Sequence, residues 1–337
     1  MIAPREIAGP SLASPEQFLR EVAEPCRPVV MRGLVSQWPV VQAGLQSPQS
    51  FRDYLARFDN GGQTEAFFGP PAIAGKYYYN EGLKGFNFER KRMRFGEIVD
   101  EIVATAHRPG SGSVYLGSLH VDNFLPGFSA QNANPILAPA IAARIWLGTA
   151  SNVSPHFDAM DNVACVVAGA RRFTLYPPEA ISHLYVGPID NTMAGQPVSL
   201  AASGPPDDAR YPLFSEIRDQ ALIAELRPGD ALYLPKLWWH KIEATAPING
   251  LVNYWWDAFS AGPDAPYTSM LLSMITIAER PPAERQAWKA FFDHYVFRTR
   301  GHPLAHLPPE HHGLLGPLKD NYGKIRARVL HLLRGGS

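Results

Sequence analysis

The chain has little cysteine, no excess charge of either sign and no long apolar run. Its 337 residues include two cysteines, Cys26 and Cys165. Two thiols cannot build a disulfide framework or a cysteine-rich zinc site. Cys165, inside Val163-Ala164-Cys165-Val166-Val167, reads as a small buried hydrophobe. Lysine plus arginine number 31, aspartate plus glutamate also 31, and the formal net charge is zero. That balance argues against nucleic acid as a partner. No apolar stretch approaches the ~18 residues of a membrane span. The N-terminus has no basic region followed by an apolar stretch, so no secretory signal is expected. A soluble cytoplasmic protein with no membrane partner is the expectation.

Proline (32) and glycine (28) are plentiful, which favours many turns over long helices. Three regions follow. Residues 1–109 read as an N-terminal α/β extension packing on a barrel. Ser14-Pro15-Glu16-Gln17 carries an N-cap, a proline at the first helical position and a capping-box glutamine, for a short helix to about Ala23. Arg27–Arg32 reads as a strand. Ser47-Pro48 opens a second helix with Phe51, Tyr54, Leu55 and Phe58 on one face, and Phe95–Ala106 a third, with Phe95, Ile98, Val99 and Ile102 on one side. Residues 110–262 are short apolar runs broken by Gly, Pro, Asn and Asp, the texture of an all-β barrel. Expected strands are Val114–Leu116, Ala142–Leu147, His156–Asp158, Asn162–Ala168, Arg172–Tyr176, Ala231–Leu234, His240–Ala244 and Val252–Ala258. Gly169-Ala170 reads as a tight hairpin, and residues 187–212 as a long surface insertion. Residues 263–337 read as helical. Pro282–Phe297 spaces Trp288, Phe291, Phe292 and Tyr295 as packing positions, and Lys324–Leu333 offers an amphipathic helix that either covers the barrel or pairs with a second copy.

Within the barrel region one constellation carries chemistry. His156 and Asp158, in Ser154-Pro155-His156-Phe157-Asp158, project together if they share a strand, since residues i and i+2 point one way. His240, in Trp238-Trp239-His240, follows a second strand-like run. Two histidines and a carboxylate leave open coordination positions, the arrangement of non-haem iron(II) oxygenases. Eleven histidines make a chance His-x-Asp easy, and His120-Val121-Asp122 is a second one, running into the loop Asn123–Gly127.

The neighbours separate the two. Asn162 follows the first copy, then Arg171-Arg172-Phe173-Thr174-Leu175-Tyr176-Pro177-Pro178, then Arg227-Pro228-Gly229-Asp230-Ala231-Leu232-Tyr233-Leu234-Pro235, then Trp238–Glu243 and Asn253-Tyr254-Trp255. From about Lys91 to Trp256 this resembles the JmjC-type, cupin-like 2-oxoglutarate oxygenases. It looks most like the branch of the asparaginyl hydroxylase called factor inhibiting hypoxia-inducible factor. The resemblance implies a mainly β fold with flanking helices, a double-stranded β-helix or jelly roll with iron at one end. It implies His156, Asp158 and His240 as ligands of Fe(2+), and Tyr115 and Arg171 on the distal carboxylate of 2-oxoglutarate. It also implies Asn162 and Asn253 as amides facing the co-substrate, and Trp255 as an aromatic near the metal. Two positions depart from the family. Val153 stands where a threonine is usual, and Arg171 replaces a lysine, keeping the charge but with a longer, planar head. A one-residue register slip would exchange the roles of Arg171 and Arg172. The activity implied is hydroxylation of an unactivated C–H, of a protein side chain first and a small molecule next, with release of succinate and carbon dioxide. N-methyl demethylation, a non-catalytic cupin that only binds, and a metal enzyme without 2-oxoglutarate stay open as alternatives.

Overall fold

The computed structural model describes residues 2–78, 85–108, 110–189, 196–204, 206–260 and 262–335. Its strands are β1 (Arg5–Ala8), β2 (Val29–Arg32), β3 (Gln63–Gly69), β4 (Lys76–Tyr77), β5 (Glu89–Arg94), β6 (Ser113–His120) and β7 (Ala143–Gly148). They continue with β8 (Ser151–His156), β9 (Asp161–Ala168), β10 (Arg171–Tyr176), β11 (Leu222–Leu226), β12 (Ala231–Leu234), β13 (Trp239–Ala244) and β14 (Asn249–Trp256). Nine form one sheet in the order β1-β2-β12-β9-β14-β7-β6-β3-β5, and five form another, β11-β10-β13-β8-β4. Most neighbours are antiparallel. This is the expected jelly-roll class, with helices outside it.

Two hydrophobic layers flank the larger sheet. Between the sheets lie Ala164, Val166, Phe173, Leu175, Leu232, Leu234 and Leu251. On the other face Val163, Cys165 and Val167 meet Val40, Val41, Phe51, Leu55 and Ile98 from the N-terminal helices. All eight residues of β9 are therefore buried, which explains why Val163–Ala168 is continuously apolar instead of alternating. Helix Phe95–Ala106 forms as its periodicity predicts, with Phe95, Ile98, Val99 and Ile102 inward. Ser14 and Ser47 both cap, accepting from the backbone N–H of Gln17 and Ser50. A carboxylate sits deep in the fold at Asp161. It is fully satisfied by Tyr233 Oη (2.9 Å), the N–H of Ala258 (3.1 Å) and Lys236 Nζ (3.2 Å).

Several expectations need correction. Gly169-Ala170 is not a hairpin. β9 pairs with β12 and β14 while β10 pairs with β11 and β13, so this turn carries the chain from one sheet to the other, with Gly169 at φ +73°. The strand expected at His156–Asp158 is Ser151–His156, and Asp158 lies in the turn beyond it. The 187–212 insertion is not wholly a surface loop. Residues 190–195 and 205 lie outside those described, yet Val198, Ser199 and Ala201 are buried, and Val198 bridges to His156. β3, β5, β11 and the helix Pro39–Gln46 had no counterpart in the sequence reading.

The chain forms two compact units, Met1–Ala258 and Phe259–Ser337. The second contains helices Pro266–Ile277, Pro282–Tyr295 and Leu318–Leu333. Among the described residues no helix is long and apolar enough to cross a membrane.

Candidate metal centre

His156 is the last residue of β8 and His240 the second of β13. They are direct antiparallel partners, so both side chains face one way, with ring centroids 4.3 Å apart. The register shifts between His240 and Ile242: His156 pairs with His240 but Val153 with Ile242. Three steps on β8 thus match two on β13, a β-bulge at Ser154-Pro155, where proline has no N–H to lose. The bulge reverses parity, and Val153 and His156 both line the same cavity. Asp158 joins them from the turn. Its carbonyl accepts from the N–H of Leu237 at 2.8 Å. Leu237, at φ +68°, thereby ties the turn before His240 to the turn after His156. One donor atom from each of His156, Asp158 and His240 lies within 4.8 Å of the others. Among the described residues this is the one such cluster. His120 and Asp122 are not in it, and Asp122 accepts from Ser129 Oγ instead.

The outer nitrogens are occupied. His156 Nδ1 lies 2.9 Å from the carbonyl of Ser154, and His240 Nδ1 lies 2.9 Å from that of Trp238. A carbonyl only accepts, so each Nδ1 carries the proton and each Nε2 presents a lone pair inward. Trp255 Nε1 donates to Asp158 Oδ2 at 3.1 Å, which orients the carboxylate. The family resemblance implies Trp255 only as an aromatic near the metal; this hydrogen bond gives it a second duty. Burial, and next the neighbouring His156, push the His240 pKa down from 6.5 to about 4. His240 is therefore neutral at pH 7. Its depressed value favours the unfolded, protonatable state in acid. Metal-free protein should keep this contribution above pH ~6.5 and lose roughly 3 kcal/mol of stability as pH falls to about 4. Urea unfolding across pH 7 to 4 measures it. His240→Phe should flatten that slope, and an equal slope in the variant would refute the assignment.

The cavity beside these donors holds about 340 Å³ and is lined by Phe67, Tyr77, Tyr115, Trp146, Val198 and Trp255, among others. Asn253 Nδ2 donates to Asn162 Oδ1 (3.0 Å), and Trp146 Nε1 donates to Asn253 Oδ1 (2.6 Å). The two expected amides are thus paired to each other. Trp146 orders them, a role the sequence reading missed although β7 alternates Arg144 and Trp146 on one face. Arg144 lies over the Trp255 ring at 5.3 Å.

Arg171 is buried, on the inward face of β10 with Phe173 and Leu175, whereas Arg172 is part exposed and points toward Glu225 at 3.9 Å. Among the described residues the Arg171 guanidinium has no ion pair, and its Nε is buried without a partner. Burial lowers its pKa from the usual guanidinium range, opposed by the Tyr115 hydroxyl. Tyr115 is itself buried and pushed up to about 12.

A jelly roll holding two imidazoles and a carboxylate beside one cavity is the architecture of a cupin-like, JmjC-type domain. The chain belongs to the cupin-like domain family, whose model matches residues 15–262. It is 27% identical over 272 residues to the human bifunctional peptidase and (3S)-lysyl hydroxylase JMJD7, covering 72% of this chain and 81% of that one. It is 35% identical over 119 residues to Jumonji C domain-containing protein 5 of Drosophila melanogaster, covering 35% of this chain and 28% of that one. A third relative is lysine-specific demethylase 8 of Danio rerio, 25% identical over 250 residues, 72% of this chain and 56% of that one. The match thus spans little more than a quarter of the fly protein and just over half of the fish protein.

Proposed function

We propose that this chain is an iron(II)- and 2-oxoglutarate-dependent oxygenase that hydroxylates an unactivated C–H of a protein side chain. The observation that carries the reading is the converging donor set, with both outer histidine nitrogens already bonded to carbonyls. Two neutral imidazoles and one carboxylate suit a divalent iron and leave positions for a chelating co-substrate and dioxygen. The co-substrate also fits. Among the described residues Arg171 is a buried cation with no ion pair and an unpartnered Nε, and a dicarboxylate supplies an anion.

When bound, iron(II) with 2-oxoglutarate supplies the oxidising power, consuming dioxygen and yielding succinate, carbon dioxide and the hydroxylated product. His156, Asp158 and His240 would hold the metal. Arg171 and Tyr115 would hold the distal carboxylate and fix the co-substrate's orientation. Asn162 and Asn253, locked by Trp146, would present amides to it. Trp255 holds the Asp158 carboxylate in one rotamer, while Phe67, Tyr77 and Trp146 keep bulk water from the reacting centre. Purified protein with iron(II), ascorbate and 2-oxoglutarate should release succinate slowly without added substrate. No release, with N-oxalylglycine failing to raise the melting temperature, would refute the reading and favour a cupin that only binds.

The finer assignment to the asparaginyl-hydroxylase branch rests on the motifs at 154–178 and 227–256. A second reading, N-methyl demethylation by the same iron chemistry, is favoured by the demethylase name of one relative. The two free cysteines suit the reducing cytoplasm. The division at residues 109 and 262 belongs to the same reading. So does pairing of two copies through the C-terminal helices, where Ile275, Phe291, Phe297 and Leu333 are exposed. Ile275→Asp together with Leu333→Asp should convert a dimer to a monomer in light scattering; an unchanged mass would reject the pairing.

A further inference from the structure

The zero net charge of the chain hides a local excess. β5, Glu89-Arg90-Lys91-Arg92-Met93-Arg94, carries four cations and one acid. It is the last strand of the nine-stranded sheet, paired on one side with β3. Every residue in it except Met93 is exposed. Alternation divides its charges. Lys91 lies with Glu89 on one face and pairs with it at 3.5 Å. Arg90, Arg92 and Arg94 share the other face, about 7 Å apart. Among the described residues none of these three guanidinium groups forms an ion pair, while Arg92 stands in register with Glu65 of β3 and the Arg94 backbone N–H donates to the Glu97 carboxylate at 3.1 Å.

The arginine face leads to the metal centre. Arg90 pairs in register with Phe67 of β3, and Phe67 with Tyr115 of β6. These three side chains therefore form one row across the sheet, and all three line the cavity that contains His156 and Asp158. Arg90 lies over the rings of Phe67 (5.2 Å) and Phe86 (5.4 Å).

We propose that β5 is the docking edge for the substrate: an acidic, extended protein segment that adds to the sheet as a further strand. Its carboxylates, on alternate residues, face Arg90, Arg92 and Arg94. Free backbone groups of an edge strand supply affinity, and side chains at a two-residue repeat supply selection. A charged edge also discourages aggregation, but that needs no sorting of charges, and here the cations without an ion pair among the described residues all lie on the face that reaches the cavity. A single-stranded nucleic acid would need open rings to stack on; Phe67 and Phe86 are capped by Arg90. The proposal rests on the oxygenase reading only in calling the docked segment the substrate.

The test uses the full chain and a fluorescein-labelled eight-residue peptide alternating Glu and Thr. A Lys/Thr peptide and an eight-nucleotide single-stranded DNA serve as comparisons. The acidic peptide should bind and the basic one should not. Arg92→Glu with Arg94→Glu should weaken binding at least tenfold, and backbone N-methylation of the peptide should weaken it as well. The double variant should keep its melting temperature and its substrate-independent succinate release. No binding of the acidic peptide, equal binding to the double variant, indifference to N-methylation, or DNA competing at equal affinity would each overturn the proposal. Succinate release without peptide binding defeats this inference alone. Peptide binding without succinate release leaves the docking edge standing and defeats the oxygenase reading.

Discussion

His156→Ala and Asp158→Ala should each bring succinate release to background while the jelly roll stays folded. Each removes one of three donors. Loss of an outer hydrogen bond to a metal ligand typically costs about 10–100-fold in affinity or activity, so loss of the ligand itself should exceed a hundredfold. These two sites are better tests than His240, which is fully buried and would leave a hole in the core. Trp255→Phe gives the graded control. It removes one hydrogen bond to Asp158 and keeps an aromatic ring in place of the larger indole, so its loss should fall within the outer-shell range. Calorimetric iron titration in the absence of oxygen should follow the same order. Parent-level succinate release from either ligand variant, with the fold intact by circular dichroism, would defeat the metal assignment. A variant that loses both turnover and structure would instead point to a packing role for these side chains.

The parts of the molecule with a repeating apolar pattern were legible in advance. Helix Phe95–Ala106 has its boundaries written in its periodicity, and β12 is a short apolar run behind a Pro-Gly turn. β5 was not legible, because an edge strand exposed on both faces needs no apolar alternation; only Met93 packs inward. The donor set could be identified, but the local geometry behind it could not. Strand alternation on its own would put His156 and Asp158 on one strand and set Val153 apart from them. The bulge at Ser154-Pro155 breaks that alternation, and Asp158 comes into place through a turn held by Leu237. Such contacts join residues about 80 positions apart, and no local pattern encodes them. The crossing at Gly169-Ala170 failed for a related reason. A short Gly turn between two strands fits a hairpin and a change of sheet equally well, and the long-range partners of β9 and β10 decide between them.

Arg171→Met should raise the 2-oxoglutarate requirement by at least about tenfold and, in the absence of co-substrate, make the protein more stable. Both effects have one cause. Arg171 is 4% exposed, its Nε has no partner among the described residues, and the Tyr115 hydroxyl opposes the effect of burial. Holding an unpaired cation there costs several kcal/mol, and replacing buried charge by apolar volume commonly returns about 1–4 kcal/mol. The same charge becomes an asset when a carboxylate enters. Charge-assisted hydrogen bonds contribute about 1.5–3 kcal/mol each, and an arginine fork can make two. N-oxalylglycine at a hundred times its dissociation constant should stabilise the parent by about 2.7 kcal/mol and the variant far less at the same concentration. Arg171→Lys should recover part of the affinity, because charge survives and the bidentate geometry does not. Arg172→Met, on the outward face beside Glu225, should change neither quantity. If Arg172→Met weakens co-substrate binding and Arg171→Met does not, the clamp belongs to the other arginine. If neither does, the buried cation serves the fold and the co-substrate is held elsewhere.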